Sequence, residues 1–355
     1  MRRALAHARL GLGRTAPNPV VGACIVTAEG VVAGDGAHER LGGPHAEINA
    51  LDEAGPRARG ATLYSTLEPC VHVGRTGPCT ERILAAGITR VVAAMEDPYP
   101  LVKGRGFAAL RAGGVEVVVG VEHDAAERLN QPFLTAVREG RPFVVLKAAT
   151  SLDGFLAAAP GRRTQLTSGA ARRHAQTVRA GVDAVAVGSG TVLADDPLLT
   201  VRDVYRDRPL TRVVFDRELR TPPQARLFGT LESGPVIIVT SSDGAARHPD
   251  RAARLADAGA TVMAVDPPEI REGLRRLAER GVHSLVLEGG AAVHAAAWRE
   301  DVVDYLQVYV APVTLGGTGA RLLDAPRFTT AGLHRQRTSV LGPDVLIEGY
   351  VHRPH

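Results

Sequence analysis

The feature that most constrains this chain is a set of metal-binding side chains split between two short segments. The first is Gly43-Pro44-His45-Ala46-Glu47, and the second runs Pro69-Cys70-Val71-His72-Val73-Gly74-Arg75-Thr76-Gly77-Pro78-Cys79. One imidazole and two thiols, His45, Cys70 and Cys79, give zinc three protein ligands and leave a fourth position for water, the composition of a catalytic rather than a closed site. A structural zinc, with His72 as fourth ligand, or simple burial of the two thiols is the competing reading. Glu47 discriminates between them. It is no ligand, and a scaffold gains nothing from a carboxylate beside the metal.

The pattern around these residues alternates strand and helix. Residues 2–11 read as a short helix, Val20–Val26 and Val31–Ala33 as a hairpin turned at Glu29-Gly30, and Thr62–Ser65 as a strand. His45 opens a helical pattern that runs to about Ala54, with Pro44 placed at the first turn. At a helix start, positions i and i+2 do not share a face. The imidazole can therefore point at metal while Glu47 reaches water from another direction and carries protons. H-x-E followed by P-C and a second Cys is the signature of zinc deaminases acting on nucleobases. A second helix spans Pro78–Leu84, Arg90–Ala94 is the next strand, and Phe107–Ala112, Val115–Val119 and one long helix over Ala125–Val137 follow. Asn18, between two prolines, is either a turn former or a reader of a base edge.

Composition narrows the partners. The chain has 355 residues, 45% of them hydrophobic and 23% charged, with net charge +4 and 4% aromatic residues. That is enough for two globular domains. The mild positive charge without like-charge blocks suits an anionic small molecule, and the shortage of aromatics argues against a stacking surface for single-stranded nucleic acid. No apolar run is long enough to span a membrane, Arg9 and Arg14 interrupt any signal-like segment, and a cytoplasmic, homo-oligomeric enzyme is expected. Cys24 sits in an apolar run and reads as a buried structural thiol. Lys103 and Lys147 are the only lysines.

Glu139-Gly140-Arg141-Pro142 punctuates the chain, dividing it into residues 1–141 and 142–355. After it come strand candidates at Pro142–Lys147, Ala184–Val187, Thr211–Phe215, Val236–Thr240, Thr261–Val265, Ser284–Leu287 and Leu306–Ala311. Helices at about 169–180, 250–258, 268–280 and 290–297 fill the gaps, the rhythm of a doubly wound sheet with ligands at the strand C-terminal ends. Gly188-Ser189-Gly190-Thr191 and Glu288-Gly289-Gly290-Ala291 mark two such ends, as phosphate cradles or plain tight turns. Lys147, on the first strand, is a catalytic candidate or a snorkelling surface residue. Asp195-Asp196-Pro197 reads as a solvated turn.

On these motifs the chain resembles the bifunctional riboflavin-biosynthesis deaminase/reductases from about residue 2 to 350. Asn18-Pro19-Val20-Val21-Gly22, Leu67-Glu68-Pro69-Cys70 and the eight-residue gap between Cys70 and Cys79 carry the likeness in the first half. Ser151-Leu152-Asp153-Gly154, the stretch from Thr191 to Arg202, and Glu288-Gly289-Gly290 carry it in the second. The resemblance implies a cytidine-deaminase-like α/β/α domain followed by a dihydrofolate-reductase-like α/β domain. It also implies zinc and NADPH as cofactors. The first domain would hydrolyse the ring amino group of 2,5-diamino-6-(ribosylamino)-4-pyrimidinone 5′-phosphate, with Asn18, His72 and Arg75 contacting that substrate and Glu47 shuttling protons. The second would reduce the opened ribose to a ribityl chain. There Arg179, Leu199, Arg202 and Glu288 would hold the phosphorylated substrate, and Ala149, Thr191, Asp195, Gly289, Gly290 and Ala291 would line the cofactor. Lys147 would polarise the carbonyl or supply the proton.

Five positions depart from that family's pattern: Gly77 for Pro, Phe155 for a basic residue, Arg163 and Gln165 for a Ser and a Trp, and Arg217 for a Ser. Arg163 is expected to grip a substrate phosphate, and Gln165 takes the place beside the nicotinamide. Arg217, where the family tends to have Ser, either pairs with the 2′-phosphate of NADPH or is merely exposed. A nucleic-acid deaminase would have no use for residues 143–355. Two further readings compete with the bifunctional enzyme. One is a zinc scaffold, and the other is a deaminase whose second domain is inactive or acts on a different substrate.

Overall fold

Short β-branched runs alternating with Ala- and Leu-rich segments build two helix-covered sheets. The computed structural model describes residues 1–71, 77–159, 164–316, 319–322 and 329–354, which form two compact units, Met1–Glu139 and Gly140–Pro354.

The first unit contains β1 (Gly22–Val26), β2 (Val32–Ala37), β3 (Thr62–Ser65), β4 (Arg90–Ala93) and β5 (Glu116–Val119), in the order β2-β1-β3-β4-β5. β1 runs antiparallel to β2 and β3, whereas β3, β4 and β5 are parallel. Helices cover both faces, and glycines set how close they come. Gly22 faces the backbone of the helix Arg2–Ala8, while Gly34 and Gly36 face that of the helix Ala46–Ala54. A Cβ at Gly36 would fall inside the carbonyl oxygen of Ala46. With Ala46, Ala50, Leu51 and Ala54 buried beneath it, the second helix rests directly on the strands. Its first turn, which carries Glu47 and follows directly on His45, is seated by that contact.

The long helix expected over Ala125–Val137 is instead two, His123–Leu129 and Gln131–Glu139. Asn130 breaks it. Its side-chain amide accepts from the Val20 N–H at 2.9 Å and donates to the Val20 carbonyl at 3.0 Å, bonds that compete with helix continuation. The break ties the helical layer to Val20, two residues past Asn18 and two before β1.

The second unit contains β6 (Phe143–Ser151), β7 (Ala184–Gly188), β8 (Thr211–Phe215), β9 (Val236–Ser241), β10 (Ala260–Val265), β11 (Ser284–Gly289), β12 (Tyr305–Ala311), β13 (His334–Leu341) and β14 (Asp344–Tyr350). Their order is β10-β9-β8-β7-β11-β6-β12-β14-β13, parallel from β10 through β12 and closed by the antiparallel β13–β14 pair. That hairpin was not expected. β13 reads His-Arg-Gln-Arg-Thr-Ser-Val-Leu and is exposed over most of its length, so it carries no alternation of apolar and polar residues. Where the central parallel strands begin, Arg141 and Asp304 form a buried two-pronged pair at 2.7 and 2.8 Å. Asp304 also accepts from the Val144 N–H, tying the entry of β6 to the start of β12. Among the described residues no helix is long and apolar enough to cross a membrane.

Because Gly36 seats the helix Ala46–Ala54, Gly36→Ala is expected to cost about 1–3 kcal/mol of stability by overpacking. Thermal unfolding of the zinc-loaded protein should show a lowered first transition, with zinc content reduced in parallel.

Candidate active sites

In the first unit the three metal-binding candidates meet at the starts of two helices. His45 is the extended residue just before Ala46–Ala54, at φ −72° and ψ 158°, and Cys79 is the first residue of Cys79–Ala85. His45 Nδ1 lies 3.2 Å from Cys79 Sγ and 3.5 Å from Cys70 Sγ, and the Cys79 N–H points at Cys70 Sγ at 3.4 Å. The three donor atoms fall within 4.8 Å of one another. Cys79, and then His45, draw the Cys70 thiol down, while Cys70 and burial push Cys79 up. Two sulfurs competing for one proton beside an imidazole form a soft N/S donor set, and it fits zinc.

Glu47 sits in the helix's first turn, only 3% exposed. Its Oε2 is 3.7 Å from Cys79 Sγ and its Oε1 3.4 Å from the Ser65 hydroxyl. Burial first, and then the charge of Cys70, push its carboxyl up to about 7. A carboxyl group poised near neutrality is one that can both take and return a proton.

Two supporting residues escape any reading of the sequence alone. His38, immediately after β2, places Nδ1 3.0 Å from the Pro44 carbonyl and Nε2 3.2 Å from Asn18 Nδ2. A carbonyl only accepts, so Nδ1 carries the hydrogen. Burial holds the His38 pKa down, so the ring is neutral and Nε2 accepts from the Asn18 amide. The amide oxygen of Asn18 is then the atom left to meet a ligand. Glu68, just before Pro69-Cys70, gathers four backbone N–H groups. Its Oε1 accepts from Gly106 at 2.9 Å and Phe107 at 3.2 Å, and its Oε2 from Gly104 at 3.0 Å and Asp97 at 3.2 Å. The motif Leu67-Glu68-Pro69-Cys70 is visible in the sequence, but these partners lie 29 to 39 residues downstream. His72 and Arg75 lie outside the described residues.

In the second unit the convergence is at the C-terminal ends of β6, β7 and β11. Arg179, on the helix Gly169–Gly181, grips both oxygens of Glu288, through Nε to Oε1 and through Nη2 to Oε2 at 2.7 Å. Its Nη1 also donates to the Thr200 carbonyl at 2.8 Å, and the Arg202 N–H donates to Gln176 Oε1 at 2.8 Å. These bonds draw the segment Leu199–Arg202 to the same helix. Leu199 is buried with a left-handed φ of 56°, and the Arg202 side chain is exposed. Burial works to raise the Glu288 carboxyl, but Arg179, then Lys147 and Arg202, outweigh it and hold it down to about 2. Lys147 is half-buried on β6, and burial lowers its pKa, with Glu288 raising it and Arg179 lowering it.

Thr191 Oγ1 lies against Gly289 and Gly290, where a Cβ would come within 3.2 and 3.3 Å; Gly290 has φ +91° and opens the helix Ala291–Arg299. Asp195 ends the helix Ser189–Asp195, and Ala149 lies two residues past Lys147 on β6. Arg217 is exposed after β8, near Arg220, whose Nη2 bonds the Ser189 hydroxyl at 3.0 Å. Gln165 is exposed, and Arg163 lies outside the described residues. Phe155 is buried under the Arg321 guanidinium, 4.8 Å from the ring centroid, so this departure from the family pattern is a packing residue.

Glu68→Gln replaces an oxygen that accepts two N–H groups with an amide NH₂ that faces them. It should cost about 2–3 kcal/mol and speed zinc loss to a chelator. Retention of wild-type zinc kinetics would show that the carboxylate does not steady Cys70.

Comparison with known proteins agrees with both halves. Residues 1–95 match the cytidine and deoxycytidylate deaminase zinc-binding region, and residues 142–347 match the RibD C-terminal domain. The riboflavin biosynthesis protein RibD of Bacillus amyloliquefaciens is 42% identical over 97% of this chain and 94% of its own length. That of Escherichia coli is 38% identical over 98% and 97%. Among solved structures, Acinetobacter baumannii RibD aligns with TM-score 0.86 at 36% identity, covering 98% of this chain and 96% of that one. A Thermotoga maritima diaminohydroxyphosphoribosylaminopyrimidine deaminase/5-amino-6-(5-phosphoribosylamino)uracil reductase aligns with TM-score 0.84 at 34% identity over the same shares. With a deaminase-type zinc region, a RibD C-terminal domain and near full-length similarity in one chain, this protein belongs to the RibD family.

Proposed function

We propose that the chain catalyses two successive steps of riboflavin biosynthesis. Its first unit deaminates 2,5-diamino-6-(ribosylamino)-4-pyrimidinone 5′-phosphate, and its second reduces the ribosyl group of the product to ribityl with NADPH. The observation that carries the reading is the pairing, in one RibD-family chain, of a buried Glu47 beside His45, Cys70 and Cys79 with a half-buried Lys147 beside Arg179 and Glu288.

His45, Cys70 and Cys79 would hold zinc, which when bound would supply the Lewis acidity that makes water a nucleophile at neutral pH. Glu47 takes the proton that water gives up as it adds to the amidine-like ring carbon, and returns it to the departing amine, so that water is consumed and ammonia leaves. Asn18, its amide turned by His38, offers an oxygen to a donor on the pyrimidine edge. His72 and Arg75 complete the substrate contacts.

NADPH supplies the hydride in the second reaction. Lys147 gives the proton that the reduced carbonyl oxygen needs, while Glu288, Arg179, Leu199, Arg202 and Arg163 hold the phosphorylated substrate. Ala149, Gln165, Thr191, Asp195, Gly289, Gly290 and Ala291 line the cofactor. Two cations near the end of β8, Arg217 and Arg220, favour the 2′-phosphate of NADPH over the bare hydroxyl of NADH.

Glu47→Gln should retain zinc and lose ammonia release by about 10²–10⁴-fold, the range for a lost general acid–base. Ammonia assay and metal analysis on the same sample check both. NADPH oxidation should appear when the deaminated product is supplied and stay absent with the diamino compound in Glu47→Gln. Absence of oxidation with the deaminated product would favour a second unit that is inactive or acts on another substrate.

A further inference from the structure

Lys147 is a half-buried cation, and the carboxylate that favours its charge is already engaged, since Arg179 holds both oxygens of Glu288. What meets the ammonium from the neighbouring strand is an aromatic face. Lys147 Nζ stands over the Tyr309 ring, 5.5 Å from its centroid. The register explains the contact. Gln307 pairs with Lys147 and Tyr309 with Ala149, so the ring leans diagonally across the same face of the sheet. Tyr309 is 1% exposed, and its hydroxyl lies 2.8 Å from His174 Nδ1 on the helix that also carries Arg179.

We propose that Tyr309 is a positioning residue for the reductase. Its ring face holds the Lys147 ammonium toward Glu288. The proposal rests on Lys147 as the proton-bearing group of the second unit. A ring face stabilises a cation without taking its proton, which suits a lysine that must donate during turnover. Glu288 on β11 favours the ammonium. Burial, and then Arg179 on the helix Gly169–Gly181, oppose it, while His294 on the helix Ala291–Arg299 is held neutral by its own burial and adds no charge. With the ring removed, the opposing influences gain. The ammonium then deprotonates at lower pH.

The test uses the full-length protein with deaminated product and NADPH. Tyr309→Leu should lower reductase kcat about tenfold with the KM for NADPH little changed. The alkaline limb of kcat should move down by about 0.5–1 pH unit, the span of a cation–π contact in this setting. Tyr309→Phe, which keeps the ring, should hold the limb within about 0.2 pH units of wild type, the change expected of an intact ring face. Ammonia release from the first unit checks that the chain is folded and loaded, and thermal unfolding checks the second unit. If Leu at 309 unfolds that unit, Tyr309→Met fills similar volume and carries the same expectation. An unmoved limb in both the Leu and Met variants, or a Phe variant as impaired as they are, overturns the proposal. Lys147→Ala separates this from the underlying reading. Reduction surviving in Lys147→Ala sinks the role of Lys147 and the proposal with it. Reduction lost there but unaffected in Tyr309→Leu sinks the role of Tyr309 alone.

Discussion

A carboxylate buried beside two thiols and an imidazole is costly unless something holds all four groups in place, and the first unit is arranged around that demand. The helix that carries His45 and Glu47 rests on Gly34 and Gly36 with no side chain between, so its first turn sits directly over the strands. Cys70 is held from the opposite side. Glu68, two residues earlier, is fastened by four backbone N–H groups of the segment Asp97–Phe107. Close backbone contact on one side and a carboxylate anchor on the other bring donor atoms from three places in the chain within 4.8 Å.

The second unit solves a related problem with cations. Arg179 from the helix Gly169–Gly181 and Lys147 from midway along β6 gather about Glu288 near the C-terminal end of β11, the end at which a doubly wound sheet takes its ligands. One carboxylate serves two cations there, and Arg179 has the larger share of it. The half-buried lysine is therefore left with part of its compensation coming from a ring on β12. Burial nonetheless leaves its amine less firmly protonated than an exposed lysine, the property that the proposed role of proton donor requires.

Much of this was legible in the sequence, for reasons that differ by residue. His45, Glu47, Cys70 and Cys79 declare themselves because zinc chemistry restricts residue type and spacing together. The parallel strands of the second unit show as apolar runs because both their faces are buried. What stayed hidden depends on contacts between distant segments. His38 orients Asn18 across twenty residues of sequence, Asn130 breaks a helix to hold Val20, and Tyr309 meets Lys147 through strand register. None of these leaves a local pattern. The edge strand β13 escaped for the opposite reason: exposed on both faces, it has no apolar period to read.

The proposed function gives one chain two separate chemistries, one dependent on a metal at His45, Cys70 and Cys79 and one not. The most direct measurement is to strip the metal from the full-length protein with a chelator and assay both reactions on the same preparation, each with its own substrate. Ammonia release should fall to background and return with added zinc, while NADPH oxidation with the deaminated product stays unchanged throughout. Loss of both activities on stripping, or persistence of deamination without metal, would contradict this division.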